Sequence, residues 1–523
     1  MLLLPLLLAA APAPITAAEL RAHTSFLASD LLEGRGPATR GDKLAQEYIA
    51  TQFRALGLTT TIQPFDIVGV DGHPDSVTFK TPKTQMTLPY RDDVIAISGH
   101  QELVSELRDA ELLFVGYGIT APEFKWDDFK GVDVKGKVLV VMNNDPEDDP
   151  KLFGGKARLW YGRWDYKYEK ARQLGAAGVF IIHTTPSAGY PWQVVQTSWS
   201  GEQLDLPYGP GHQLQMKGWL SENAARKLFA LTGKDLDALR KKAQTRNFKP
   251  VPLGVTISTR FESKVARKTT ANVLGVLEGT DPKLKSEFVV YTAHHDHLGI
   301  GDPDDKGDTI YNGAVDNAAG VAALLSVARV VSAQAPKRSV LFAAVAAEEQ
   351  GLLGSQFLIE HSPIPPAKMA ADINVDGLNI LGRTSDVSVV GLGKSSIDGL
   401  IIELARKQGR TVHADALSDR GFFYRSDQFN FAKRGVPSAY FSSGQDFIGK
   451  PEGWGQKQRE DWEEKRYHQP SDEVTKDWDL AGAVDDVQLY VDLGLAIGNS
   501  ALLPTWTKGD EFEGERLKSL ALP

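Results

Sequence analysis

Histidines and carboxylates fall into five short groups along this 523-residue chain: His294-His295-Asp296-His297, Asp316-Asn317, Glu348-Glu349, Asp376 and His468. Cysteine is absent, which excludes disulfides, thiolate metal sites and cysteine nucleophiles. Any metal must therefore be held by His, Asp and Glu. Imidazole combined with hard oxygen donors suits zinc or a similar divalent ion. Taken singly, each group also has a structural reading. Clustered histidines can be surface residues, paired glutamates are commonly solvated, and an aspartate before a helix is often its cap.

The elements that must position these groups decide between the readings. Apolar runs of strand length occupy 288–293 and 340–345, and a mixed run occupies 370–375. The first is followed at once by His294, the second by Ala346-Ala347 and then Glu348-Glu349, and the third by Asp376. Asp316-Asn317 stands before a helical pattern over 318–333, and a second helical pattern covers 397–407. A weaker strand is expected at 436–441, with Pro437 tolerable at its start. Apolar strands alternating with helices predict a mostly parallel mixed sheet flanked by helices on both faces. In such α/β sheets ligands bind outside the carboxyl ends of the strands. Four acid- and histidine-bearing groups thus share one sheet edge, and their conjunction favours a metal site.

Upstream, residues 19–58 read as helical with a break at Gly34-Arg35-Gly36-Pro37, followed by strand-like pieces at 60–68 and 76–80. A different unit begins near residue 100. It carries buried-strand runs at 138–141 and 179–182, an amphipathic stretch at 167–174, and loops at 143–159 and 184–211 expected to lack regular structure. The Trp/Tyr-rich stretch 160–168 reads first as core of that unit and second as a substrate-facing wall. Hydrophobic residues make up 42% and charged residues 24%, the composition of a soluble globular protein of several domains. The net charge of −9 (58 Lys+Arg against 67 Asp+Glu), without a basic run, argues against nucleic acid or an anionic membrane as partner. The first 18 residues, MLLLPLLLAAAPAPITAA, carry no charge and are too short and proline-broken to span a bilayer. They resemble a signal-peptide core followed by small-residue cleavage sites such as Thr16-Ala17-Ala18, although the basic start of such peptides is missing, and predict an exported, periplasmic or secreted protein.

The segments 293–299 (AHHDHLG), 312–320 (NGAVDNAAG), 347–355 (AEEQGLLGS), 374–376 (NVD) and 467–470 (YHQP) resemble, in order, the five motifs of the co-catalytic zinc exopeptidase family that contains bacterial leucyl aminopeptidases and glutamate carboxypeptidase. The similarity covers roughly residues 20–95 and 260–505, and Leu27-Ala28-Ser29-Asp30 to Gly34-Arg35-Gly36 resembles the family's N-terminal helix and turn. Beside the signal peptide expected at 1–18, it implies peptidase-domain segments at 19–98 and 259–508, an inserted β-rich protease-associated domain at 99–258, and a tail at 509–523.

The resemblance further implies two Zn2+ ions per chain, one on His294 and Asp376, the other on Glu349 and His468, with Asp316 bridging. It makes Glu348 the general base acting on a shared water, and Tyr467 a donor to the tetrahedral oxyanion. Asp296 is expected to accept the other ring N–H of His294, and His295 and His297 to be loop or supporting residues. Arg425-Ser426-Asp427-Gln428 resembles a segment lining the family's substrate pocket, with a structural salt bridge as the other reading for Asp427. The bond between Asp316 and Asn317 is expected to be cis.

The activity implied is an aminopeptidase acting on peptides. The alternatives are a glutamate-type carboxypeptidase, with Arg383, Arg420 or Arg425 as carboxylate clamp, a single-zinc glutaminyl cyclase, or a non-catalytic receptor-like ectodomain. No membrane insertion is expected once the signal is removed, and the sequence leaves the oligomeric state and the choice of zinc over manganese or cobalt open.

Overall fold

The computed structural model describes residues 13–149, 151–155 and 157–521, so most of the expected signal peptide lies outside the described residues. Two compact units emerge. One comprises the chain up to Phe65, Thr269–Ala416 and the chain from Arg425 onward; the other comprises Asp66–Lys268 with Leu417–Tyr424.

In the first unit, seven strands lie side by side in the order Lys264–Leu277, Ser339–Val345, Phe288–His294, Met369–Asn374, Ser438–Ser443, Asp386–Val389 and Thr411–Ala414. Ser339–Val345, Phe288–His294, Met369–Asn374 and Ser438–Ser443 run parallel; Lys264–Leu277 is antiparallel to Ser339–Val345, and Asp386–Val389 is antiparallel to Ser438–Ser443 but parallel to Thr411–Ala414. Alternation along the strands feeds two cores. Val289, Tyr291 and Ala293 join a cluster with Val321, Leu324 and Val327 of the Ala319–Ser332 helix. Val290, Leu341 and Val345 join the opposite cluster with Leu358, Ile359 and Phe431. The Ala319–Ser332 helix is largely apolar because it is a core element, 89% of the most apolar window of Ala314–Ser332 being buried.

The expected strands and helices are present with shifted ends: Phe288–His294, Ser339–Val345 and Met369–Asn374 differ by one residue from the sequence reading, and Ile397–Lys407 matches it. The late strand is Ser438–Ser443, so Val436 and Pro437 precede it; Pro437 still accepts the Asp372 N–H through its carbonyl. The N-terminal helical region divides into Ala17–Leu27, a tight turn Asp30–Arg35 and Arg40–Ala55. Thr16 caps the first of these, accepting the Glu19 N–H at 3.1 Å, and Ile15 is buried. The expected boundary after residue 18 therefore falls inside a capped helical turn of the unit.

The second unit is built on an eight-stranded sheet, ordered Gln85–Pro89, Ser76–Lys80, Val251–Glu262, Val104–Phe114, Val138–Met142, Gly178–Ile182, Met216–Leu220 and Val94–Ser98. It is wider than the expected 99–258, because the strands between 76 and 98 pair into this sheet. It is also less purely β, carrying the helices Trp164–Gln173, Glu222–Leu231 and Leu236–Ala243. The stretch expected to be irregular after residue 184 contains the short helix Trp192–Ser198, whose Val195 is buried in the core. Tyr161, Tyr166 and Tyr168 are core residues, as the first reading of their stretch had it.

Candidate metal centre

His294 is the last residue of its strand and pairs in register with Val345, so the chain leaving Val345 turns over the same edge with Glu348 and Glu349. Asp376 follows the next strand by two residues. His294 Nε2 lies 3.2 Å from Asp316 Oδ1 and 3.4 Å from Asp376 Oδ1. His468 Nε2 lies 3.4 Å from the other Asp316 oxygen, Oδ2, and 3.0 Å from Glu349 Oε2. Both imidazole nitrogens are buried without a hydrogen-bond partner. Two groups able to hold a cation thus share Asp316, one oxygen facing each. Burial lowers the pKa of His294 and His468, but the four carboxylates around them (Asp316, Glu348, Glu349, Asp376) outweigh it and push His294 well above its ordinary value and His468 up to about 10, a concentration of negative charge that divalent metal fits. His294, Asp316 and Asp376 form one ligating cluster, and Asp316 and Glu349 belong to another that also includes His297.

The supporting residues are as specific as the candidate ligands. Asp316–Asn317 is a cis bond, as expected. The capping role that the sequence offered to Asp316 or Asn317 belongs to Asn317: its Oδ1 accepts the N–H groups of Gly320 (3.0 Å) and Gly377 (2.8 Å), while its Nδ2 donates to the Val375 carbonyl. Asp316 is left free to face the histidines. Asp472 holds the preceding turn: its carboxylate accepts the Val315 and Asp316 N–H groups at 3.1 Å, and its carbonyl accepts from Ala314. Burial pushes the Asp472 carboxyl up to about 6.

Asp296 departs from expectation. His294 Nδ1 is 3.3 Å from the backbone carbonyl of Asp296 and 3.8 Å from its carboxylate, so the carbonyl is the acceptor that orients the ring. The Asp296 carboxylate is used instead by the backbone N–H groups of Glu348 (3.1 Å) and Glu349 (3.4 Å). The physical reason is the tight turn after Val345, which presents two unpaired amides to the nearest buried acceptor.

His297 Nδ1 is 2.6 Å from Glu349 Oε1, fixing the glutamate so that Oε2 faces His468. His295 Nε2 meets Asp42 Oδ1 at 3.0 Å, and Asp42 also accepts from Gln46, Thr270 and the Ala38 amide. Buried Arg35 donates to the carbonyls of Leu27, His295, Asn312 and Gly313, joining the turn after His294 to the turn before Asp316.

The adjacent glutamates are driven apart electrostatically. Burial pushes Glu348 well above the ordinary carboxylate range, with Glu349, Asp376 and Asp427 adding to the shift and His294 opposing it. Burial and Asp316 push Glu349 up as well, but His468 and His297 outweigh them and hold it down to about 2. Such a divergence separates a proton carrier from a permanently ionised ligand. Tyr467 stacks on His468 at 3.9 Å between ring centroids and lies 5.5 Å from Trp462. In the 425–428 segment, Ser426 donates to Asp376 Oδ2 at 2.6 Å. Asp427 is fully buried and forms no salt bridge among the described residues; burial and neighbouring acids push it up to about 7. Arg383, one candidate clamp, is paired with Asp485 at 2.9 Å.

Residues 272–492, which contain every one of these candidate ligands, match the model of peptidase family M28. Over 464 residues the chain is 26% identical to Aminopeptidase YwaD of Bacillus subtilis (strain 168), covering 86% of this chain and 79% of that protein. A 104-residue stretch, 20% of the chain, is 36% identical to a probable zinc metalloprotease of Pyrenophora teres f. teres (strain 0-1), of which it covers 22%. The fold is similar to that of the aminopeptidase from Aneurinibacillus sp. strain AM-1, with a TM-score of 0.51 at 19% identity, covering 93% of this chain and 95% of that one. The matched segment contains the residues expected as ligands, and the fold agrees with the expected α/β architecture. Arg35, Asp42, Asp472 and the Asp296 contacts to the glutamate amides were not anticipated. Arg35 was visible only as part of a motif, and its function depends on carbonyls 260 or more residues away.

Proposed function

We propose that the chain is a zinc-dependent aminopeptidase that releases N-terminal residues from peptides. The observation that carries this reading is the division of Asp316, with Oδ1 toward His294 and Oδ2 toward His468. The M28 match and the aminopeptidase and zinc metalloprotease names of the relatives support the reaction class. His294 and Asp376 would hold one zinc ion, Glu349 and His468 a second, and Asp316 would serve both. Zinc held there would lower the pKa of a bound water to about 7 and polarise the scissile carbonyl.

The chain's own residues do the rest. Glu348, pushed up in pKa by burial, takes the proton of the attacking water and returns it to the leaving amine. Asp296 holds Glu348 in place through its backbone amide. Tyr467, fixed against His468, offers its phenol to the oxygen on which negative charge develops. The aminopeptidase name of the relative that covers most of this chain supports a substrate with a free α-amine. Export to the periplasm or medium is part of the proposal and rests on the uncharged apolar residues 1–18.

The test is hydrolysis of short peptides with free and with N-acetylated termini by zinc-loaded protein, with the products identified. Release of the first residue from free peptides, with acetylated forms poor, supports the reading. Efficient release of C-terminal glutamate from acetylated peptides overturns it in favour of a carboxypeptidase.

A further inference from the structure

We propose that Asp372 is a positioning residue, a neutral carboxylic acid that sets the direction of a hydrogen-bond chain ending on Asp376. Asp372 and Asn374 are two residues apart on one strand and share a face, and Thr292 stands opposite Asn374 on the neighbouring parallel strand. The chain is Asp372, Thr292, Asn374, Ser426, Asp376, and its proton positions follow from counting donors.

Counting starts at the metal end. Ser426 Oγ donates to Asp376 Oδ2 at 2.6 Å. Ser426 in turn accepts from Asn374 Nδ2 at 2.7 Å, and the second Nδ2 proton goes to Gln428 Oε1 at 2.8 Å. The amide oxygen of Asn374 is 2.9 Å from Thr292 Oγ1, so the single hydroxyl proton of Thr292 is used there. Thr292 Oγ1 is also 3.1 Å from Asp372 Oδ1 and has no proton left for it. Asp372 must supply that proton.

Two further observations agree. Asp372 is fully buried, and its Oδ2 has no hydrogen-bond partner among the described residues, a far larger cost for an ionised carboxylate than for the carbonyl of a neutral acid. Burial pushes its pKa well above the ordinary range, with Asp427 adding to the shift. Each link fixes the next. The acid proton keeps the Ser426 hydroxyl aimed at Asp376 Oδ2, which leaves Oδ1 facing His294 Nε2. Asp372 touches no candidate ligand and acts only through this chain, and its role rests on the reading of Asp376 as a ligand.

The experiment compares zinc affinity by chelator competition, kcat and KM separately, and infrared spectra for wild type, Asp372→Asn, Asp372→Val, Thr292→Val and Asp376→Asn. The Asp372→Asn amide still donates to Thr292, so zinc affinity and kcat stay at the wild-type level. Asp372→Val and Thr292→Val break the chain and lose about 10–100-fold in zinc affinity. The carbonyl band of a protonated carboxylic acid is present at neutral pH in wild type and lost in the Asp372→Asn difference spectrum. Loss in Asp372→Asn as large as in Asp372→Val, or an unchanged acid band, overturns the proposal. Should Asp372→Val not fold, Thr292→Val carries the comparison. Unaltered zinc affinity in Asp376→Asn would instead remove the ligand reading while leaving the acid band to test the chain.

Discussion

The carboxylate of Asp296 accepts the backbone N–H of Glu348 at 3.1 Å, so the residue two positions beyond the first candidate zinc ligand controls where the proposed general base stands. A second contact, to the Glu349 amide, extends the same control to a candidate ligand. Asp296→Asn replaces one acceptor oxygen by an amide that clashes with an N–H donor. The expected result is a loss of about 10–100-fold in kcat with zinc retained, because the His294 ring is oriented by a backbone carbonyl. Zinc content and kcat measured on the same preparation check this; loss of zinc in step with activity would return Asp296 to the role of His294 partner.

Glu348 and Glu349 are neighbours with opposite electrostatics, and their amide variants should separate. Glu348→Gln is expected to lower kcat by about 10²–10⁴ while keeping metal. Glu349→Gln is expected to lose metal. The reverse pattern would exchange their roles.

Much of this centre was legible in the sequence because strand ends are marked by where apolar runs stop. His294, Glu348-Glu349 and Asp376 follow such runs closely, and Asp316 precedes an apolar helix whose start was placed near residue 318. Contacts that depend on distant backbone were not legible. Asp472 acts by accepting amides of residues 315 and 316, and nothing in its own surroundings in sequence announces this. The extent of the second unit was misjudged for a similar reason: the strands at 76–98 are short, and only their partners at 216–220 and 251–262 assign them to that sheet.

Arg35 is the test of how far these long-range ties matter. Its guanidinium serves four carbonyls, and lysine lacks the fork to do so. Arg35→Lys should destabilise the protein by about 1–3 kcal/mol for each buried carbonyl left without a donor. A Tm equal to wild type, read in thermal melts of the zinc-loaded protein, would show that the two turns are held by other means.

In the second unit, buried Asp128 accepts from the Ile119 amide at 3.0 Å and from Trp126 Nε1 at 2.9 Å. Burial, opposed by these bonds, pushes its pKa up to about 7. Between the ordinary aspartate range and that value the folded protein holds a proton that the unfolded chain has lost. Its stabilising contribution is therefore complete at low pH and is lost as pH rises through about 7. The Tm advantage of wild type over Asp128→Asn should shrink from about pH 4 to about pH 8; an advantage that grows over this interval would contradict the assignment.

The measurement that bears most directly on the whole account is a zinc titration of metal-stripped protein, following bound metal and release of N-terminal residues together. Sharing of Asp316 between His294 and His468 predicts two equivalents bound, full activity only as the second binds, and loss of both ions in Asp316→Ala. Full activity at one equivalent, with no second ion taken up, would contradict it.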